Sequence, residues 1–290
     1  MRFSSPLSPP NKAGWQNWSS LLLCVRVPKS GSTSLGAALR FAFSSRGSFY
    51  VPNTLDLDGC LSRFQRVRFH RNRLRNLLAH YRSPWLARAF EQIEQKAVPG
   101  DLLCGGHIDF GTVRKHLSKD IKIVTILRNP YDRCRSEYFY ARQKFFRKSG
   151  IWRLDSSMMP QIAATRDFDG YVDFLLDHQH IYGDIAAKYL GIGPRAELSR
   201  FFERHVFHAG VLEKVSEFSA SLREKLGVSV EFPHLNAHGS SAQVALSRVA
   251  KCKIERIYAR DFEIYDYLLG AMDKTVRIGV RAPRQRFSGQ

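Results

Sequence analysis

Leu21 to Val27 is a short apolar run that ends at Pro28, the pattern of a parallel strand buried on both faces. Small polar residues fill Pro28 to Thr33, and Ser34 to Phe43 has helical character, so the unit reads strand, tight loop, helix. Ile121 to Leu127 predicts a second fully apolar strand. After it, Asn129 suits a helix N-cap and Pro130 the first helical position, predicting a helix to about Lys144. A helix over 84–96, ended near Pro99-Gly100, leads into a short strand at Asp101 to Cys104 that runs into Gly105-Gly106-His107. Further helices are expected at 169–178, 196–204, 213–226 and 243–271, and further strands at 207–212 and 228–231. The stretch 148–165 has no regular pattern and is expected to be a loop over the site.

Strands alternating with helices predict one α/β domain, with a central, mostly parallel sheet of about five strands flanked by helices and a P-loop-like nucleotide site. The expected limits are a polar tail at 1–19, the domain at 20–275 and a basic tail at 276–290. No apolar run approaches the roughly 18 residues a membrane-crossing helix needs, so no transmembrane segment is expected. In sheets of this kind ligands bind at the carboxyl ends of the strands. Pro28 to Ser34, His107 and Arg128 all fall at predicted strand ends.

Composition adds a partner class. Forty-five basic residues against 26 acidic give a net charge of +19, which attracts nucleic acid, sulfated or carboxylated glycans, or anionic membranes. Residues 63 to 88 hold eight arginines from Arg63 to Arg88 and no acid, with Leu74, Leu77 and Leu78 interleaved. That segment fits a polyanion-binding helix or a solvated basic face. No nucleic-acid module or aromatic stacking platform accompanies it, so nucleic acid is not expected as the partner. The five cysteines (Cys24, Cys60, Cys104, Cys134 and Cys252) are odd in number and lack C-x-x-C spacing. This argues against a disulfide framework and a zinc site, and points to a reducing compartment.

The candidate chemistry begins at Arg26-Val27-Pro28-Lys29-Ser30-Gly31-Ser32-Thr33-Ser34. A loop opening a helix directs backbone N–H groups and the helix dipole at one spot, which makes an anion site. Lys29 adds a full charge, Ser30, Ser32, Thr33 and Ser34 add hydroxyl donors, and Gly31 permits close backbone approach. The lysine precedes the glycine, so this is not a Walker A sequence. Read alone, it also fits a Ser-rich turn with a solvated lysine. In the second element Arg128 sits at a strand end and Ser136 lies eight residues on, about two helical turns. A guanidinium and a hydroxyl on one helix face can clasp a second phosphate.

Together the two elements resemble PAPS-dependent sulfotransferases, PAPS being 3′-phosphoadenosine-5′-phosphosulfate. Lys29-Ser30-Gly31-Ser32-Thr33-Ser34 is similar to their 5′-phosphosulfate loop, and Arg128 through Ser136 to their 3′-phosphate motif. The form R-V-P-K-S-G-S-T-S looks most like the heparan and uronyl 2-O-sulfotransferases, the wider Golgi-type carbohydrate sulfotransferases and their bacterial relatives. The resemblance covers 26–145 clearly and 206–271 weakly. Asn129 departs from the aspartate usual in that family, but asparagine also caps helices.

The resemblance implies transfer of a sulfuryl group from PAPS to an acceptor hydroxyl, with PAP as product and no metal. It implies an anionic glycan as acceptor, and Lys29 stabilising charge on the leaving phosphate. It implies His107 as the base, in a segment similar to the family's G-H-x-x-F region; the bare alternative is a structural histidine at a strand end. Asp109 would orient that histidine or cap a turn, and Glu137 is expected to face away from the phosphate. Asn236 and Ser240, in a late polar loop, would help close over the nucleotide. The implied location is the cytoplasm of a bacterium, or the Golgi lumen for a chain separated from an anchor. Two rivals remain open: a P-loop nucleotide kinase, which needs a Walker lysine and a Mg²⁺-holding pair, and a non-catalytic basic polyanion-binding protein.

Overall fold

The computed structural model describes residues 18–44, 46–51, 86–147, 158–227, 230, 232 and 245–279. Its strands are β1 (Leu21–Cys24), β2 (Ser48–Phe49), β3 (Leu102–Leu103), β4 (Ile121–Leu127) and β5 (Val206–Val211). They form one sheet in the order β2-β3-β1-β4-β5, and every pairing is parallel. The chain moves outward from central β1 to β2, returns to β3, then crosses β1 to reach β4. That reversal opens a crevice at the carboxyl end of β1, where α/β sheets bind ligands.

Side-chain alternation along the strands sorts the core into two layers. Leu22, Cys24, Leu102, Val124 and Ile126 face one side, where they meet Leu35 and Leu39 of α1 (Ser32–Ala42) and Phe218 and Leu222 of α10 (Val215–Leu226). Leu21, Leu23, Leu103, Ile121 and Ile123 face the other. Packed there are helix α2 (86–96), α3 (Phe110–His116) and α4 (Pro130–Phe146), then α5 (Met158–Thr165), α6 (Phe168–Asp177), α7 (Gln179–Tyr182) and α8 (Ile185–Leu190). α9 (Leu198–His205), α11 (Arg248–Ile257) and α12 (Ala259–Gly279) complete that layer. Each fully buried leucine contributes roughly 1.5–3 kcal/mol of transfer free energy, which makes these two layers the main stabilising term.

Several boundaries follow from local chemistry. Asn129 caps α4 by accepting from Tyr131 N–H at 3.0 Å, with Pro130 at the first helical position as predicted. Asp109, Asp167 and Ser247 cap α3, α6 and α11 in the same way. Other boundaries differ from expectation. The stretch expected as loop contains α5, because Pro160 sits in that helix's first turn, where a missing N–H does no harm. The single helix expected over 243–271 is two, broken at Tyr258. There the Ile257 carbonyl accepts from Asp184 N–H at 3.2 Å, and the Asp184 carboxylate accepts from Arg260 N–H at 2.9 Å. α3, α7, α8 and β2 lay unread in the sequence. The strand expected at 228–231 and the arginine segment before Arg88 fall outside the described residues.

Behind α4 lies a charged core. Arg133 is 2% exposed, sits 4.3 Å over the Tyr258 ring and pairs with Glu137 at 3.3 Å. Asp261, equally buried, lies 4.0 Å from Arg133 and accepts from Ala186 and Ala187 N–H, so it caps α8 from α12. These contacts fix the rotation of α4, and thus the face it turns towards the crevice.

Candidate functional site

The loop after β1 is braced from within. The Ser30 and Ser32 hydroxyls both donate to the Val27 carbonyl, at 2.8 and 2.7 Å. Both residues are buried, so these hydroxyls serve the loop rather than offering donors to an anion as expected. Lys29 and Gly31 adopt positive φ values of 65° and 76°, which curls the backbone into a concavity of the anion-nest kind. Glycine suits the positive φ at 31, and a Cβ there would also press on Leu212 Cδ1, at 2.7 Å, which would have to shift. α1 starts at this concavity with no side-chain cap and no acid in its first turn. Its first N–H groups and its dipole therefore face the crevice uncompensated.

Arg26 ties this loop to the next one. Its guanidinium donates to the Gly105 carbonyl at 2.6 Å and to Thr33 Oγ1 at 3.0 Å. Its own carbonyl lies 3.4 Å from His107 Nδ1. A proton on Nδ1, donated to that carbonyl, leaves the Nε2 lone pair available. Burial pushes the His107 pKa below 6.5; the Arg26 and Lys29 charges add to this and the carbonyl bond opposes it. The ring is therefore neutral at pH 7. Tyr189 meets it edge-on at 5.9 Å. Gly105 permits the close approach of this loop to β2, because any Cβ would sit 1.7 Å from the Val51 carbonyl oxygen. Asp109, the alternative partner for the histidine, accepts from Thr112 N–H at 2.7 Å and caps α3.

Lys29 carries the most perturbed cation at the rim. Its amine lies 3.0 Å from the centroid of the Tyr140 ring, a cation–π contact. Burial lowers its pKa to about 8; Glu137 opposes this, and the Arg128 and Lys144 charges assist it. Glu137 thus acts on Lys29 through its charge, while its carboxylate pairs with Arg133. Ser136, Tyr140 and Lys144 recur every fourth residue along α4 and so share one face, the face that receives the Lys29 amine. Arg128, half-buried, forms no ion pair among the described residues. Asn129 N–H donates to Glu213 at 2.9 Å, locking the β4 exit to the β5 exit.

Lys29 to Ser34, His107, Arg128 and Ser136 thus all stand at the carboxyl rim of the sheet, after β1, β3 and β4. Asn236 and Ser240 lie outside the described residues. Sequence reasoning missed Arg26 as a clamp, Tyr140 as the seat of Lys29, and the buried Arg133. Only the four-residue spacing of Tyr140 from Ser136 offered a signal. No group of three or more His, Cys, Asp or Glu among the described residues could hold a metal ion. No described helix is long and apolar enough to cross a membrane. A cavity of about 350 Å³ lies elsewhere, beside β5 between α10 and α12, walled by Phe202, Phe218, Tyr267 and Met272.

In comparison with known families, the model described as "Sulfotransferase domain" matches residues 20–203, which is 184 of the 290 residues. The match spans β1, the loop, His107 and α4, while the weaker resemblance over 206–271 lies beyond it. Comparison with curated proteins gave no match.

Proposed function

The chain belongs to the sulfotransferase domain family, and from that premise we propose that it carries the sulfuryl group of PAPS to a hydroxyl of an anionic carbohydrate acceptor. The family uses PAPS as its donor in general, and its chemistry requires a hydroxyl-bearing acceptor. Family membership also disfavours the kinase alternative, which the missing Walker lysine had already weakened. The observation that carries the proposal is the meeting of an uncapped helix start, a cation of lowered pKa and a neutral histidine at one rim.

In this reading the N–H groups of the Lys29–Ser34 loop hold the 5′-phosphosulfate, while Arg128 and Ser136 hold the 3′-phosphate. PAPS supplies the activated sulfur–oxygen bond, and the residues supply position and charge. The acceptor hydroxyl reaches His107 Nε2, which takes its proton as the oxygen attacks sulfur. The Lys29 amine leaves the Tyr140 ring for the bridging oxygen and balances the charge that develops there. The net charge of +19 supports a polyanionic acceptor.

Calorimetric titration of PAP into wild type, Lys29→Ala and Arg128→Ala, at two salt concentrations, tests the proposal. One-to-one binding weakened by both substitutions is the expected result, followed by an acceptor screen with His107→Ala as control. Absence of PAP binding, or binding indifferent to both changes, overturns it and leaves salt-dependent polyanion binding as the function.

A further inference from the structure

β1 and β3 pair in parallel with Leu22 opposite Leu102 and Leu23 opposite Leu103. One step further along the same register, Cys24 stands opposite Cys104. Both side chains join the layer under α1, so they point to the same side of the sheet. Neighbouring strands run about 4.8 Å apart, inside the Cα separation of roughly 4.4–6.8 Å that disulfides span. β3 is only two residues long, so its end can yield the small movement that bonding needs. Both thiols are free.

From this register we propose that Cys24 and Cys104 are a reversible oxidation site, closing to a disulfide between the ends of β1 and β3 beneath the phosphate loop. The two thiols divide the work unequally. A hydrogen bond from Cys24 lowers the Cys104 pKa to about 7; burial opposes this and the Arg40 and Arg26 charges assist it. The same bond, with burial, pushes Cys24 well up. Cys104 is thus the thiolate that attacks and Cys24 the protonated thiol that resolves.

With hydrogen peroxide as oxidant, the Cys104 thiolate displaces hydroxide from the peroxide to give a sulfenic acid. That hydroxide takes up a proton and leaves as the first water. Cys24 sulfur then displaces the hydroxyl from the sulfenic sulfur, and its thiol proton leaves with that hydroxyl as the second water. Two thiols lose two electrons and two protons, and one peroxide is reduced to two waters. The other described cysteines lack the pairing. Cys134 is buried in the opposite layer, its pKa pushed up to about 12 by burial, and Cys252 stands exposed and alone.

The test exposes the full chain to hydrogen peroxide, alkylates it under denaturing conditions and maps its peptides by mass spectrometry without reduction. The expected product joins the Cys24 and Cys104 peptides, lighter by two hydrogen atoms, and dithiothreitol restores both thiols. Cys252→Ser leaves the cross-link intact, and Cys24→Ala leaves a Cys104 sulfenic acid that dimedone captures. Full alkylation of Cys24 and Cys104 after peroxide, or a cross-link that instead joins Cys252, overturns the proposal. Mass alone is read, so this outcome stands apart from whether PAP binds.

Discussion

Titrating PAP into the protein above pH 7 should draw protons out of solution, in an amount set by Lys29. Its amine is held at about 8 by burial, with Arg128 and Lys144 pushing the same way and Glu137 opposing them. Half of the molecules therefore carry a neutral Lys29 at pH 8. A phosphate settling on the loop favours the charged amine and returns it to the ordinary lysine range, near 10. By linkage, uptake is about 0.1 proton at pH 7, about 0.5 at pH 8 and about 0.8 at pH 9. The same shift makes PAP binding about tenfold weaker at pH 9 than at pH 7, a difference of roughly 1.4 kcal/mol. Each phosphate loses its second proton at about pH 6, so phosphate release can offset the small uptake at pH 7 but contributes little at pH 8 and 9, where the test is read. Calorimetry in buffers of different ionisation enthalpy measures the uptake directly. Lys29→Arg keeps the charge, removes the titration and should take up almost no protons at pH 9. A wild type without uptake at pH 9, or an arginine variant with undiminished uptake, would refute the reasoning.

Three further outcomes follow from the site and its support. His107→Ala should lower kcat by about 10²–10⁴-fold, and the wild-type rate should hold down to a pH below 6.5, since only the protonated ring is inactive; pH–rate profiles of both proteins check this. Gly31→Ala should destabilise the loop by about 1–2 kcal/mol, because alanine resists a φ of 76°, and should weaken PAP binding; denaturant unfolding and calorimetry measure the two effects. Arg133→Met should cost about 3–5 kcal/mol by leaving Glu137 and Asp261 without their buried cation, and a stability curve within 1 kcal/mol of wild type would contradict it.

The parts of this fold legible in the sequence are those whose causes are local. β4 is an unbroken apolar run, and α4 announces itself through Asn129 and Pro130. The anion loop combines small residues with a strand before and a helix after. What stayed hidden depends on residues far apart in the chain. The break at Tyr258 comes from Asp184, with no proline or glycine nearby to mark it. Ser30 and Ser32 look like ligand donors until the loop brings the Val27 carbonyl within reach of both. Arg133 reads as a surface residue on a charged helix, and only the packing of α11 and α12 against α4 buries it. The facing of Cys24 and Cys104 is a matter of strand register, which no short window of sequence contains.

The Arg26 clamp has a consequence for how rate and affinity can vary in this protein. One residue grips the donor loop through Thr33 and the histidine strand through Gly105, while its carbonyl meets the His107 ring. Loop and base are therefore mechanically one part. If the loop holds the donor and His107 is the base, as proposed, an Arg26 substitution removes both guanidinium grips and should disturb affinity and rate together, although the main-chain carbonyl beside His107 stays. What couples the two loops is the side chain of a single arginine, whose own carbonyl lies beside the histidine ring.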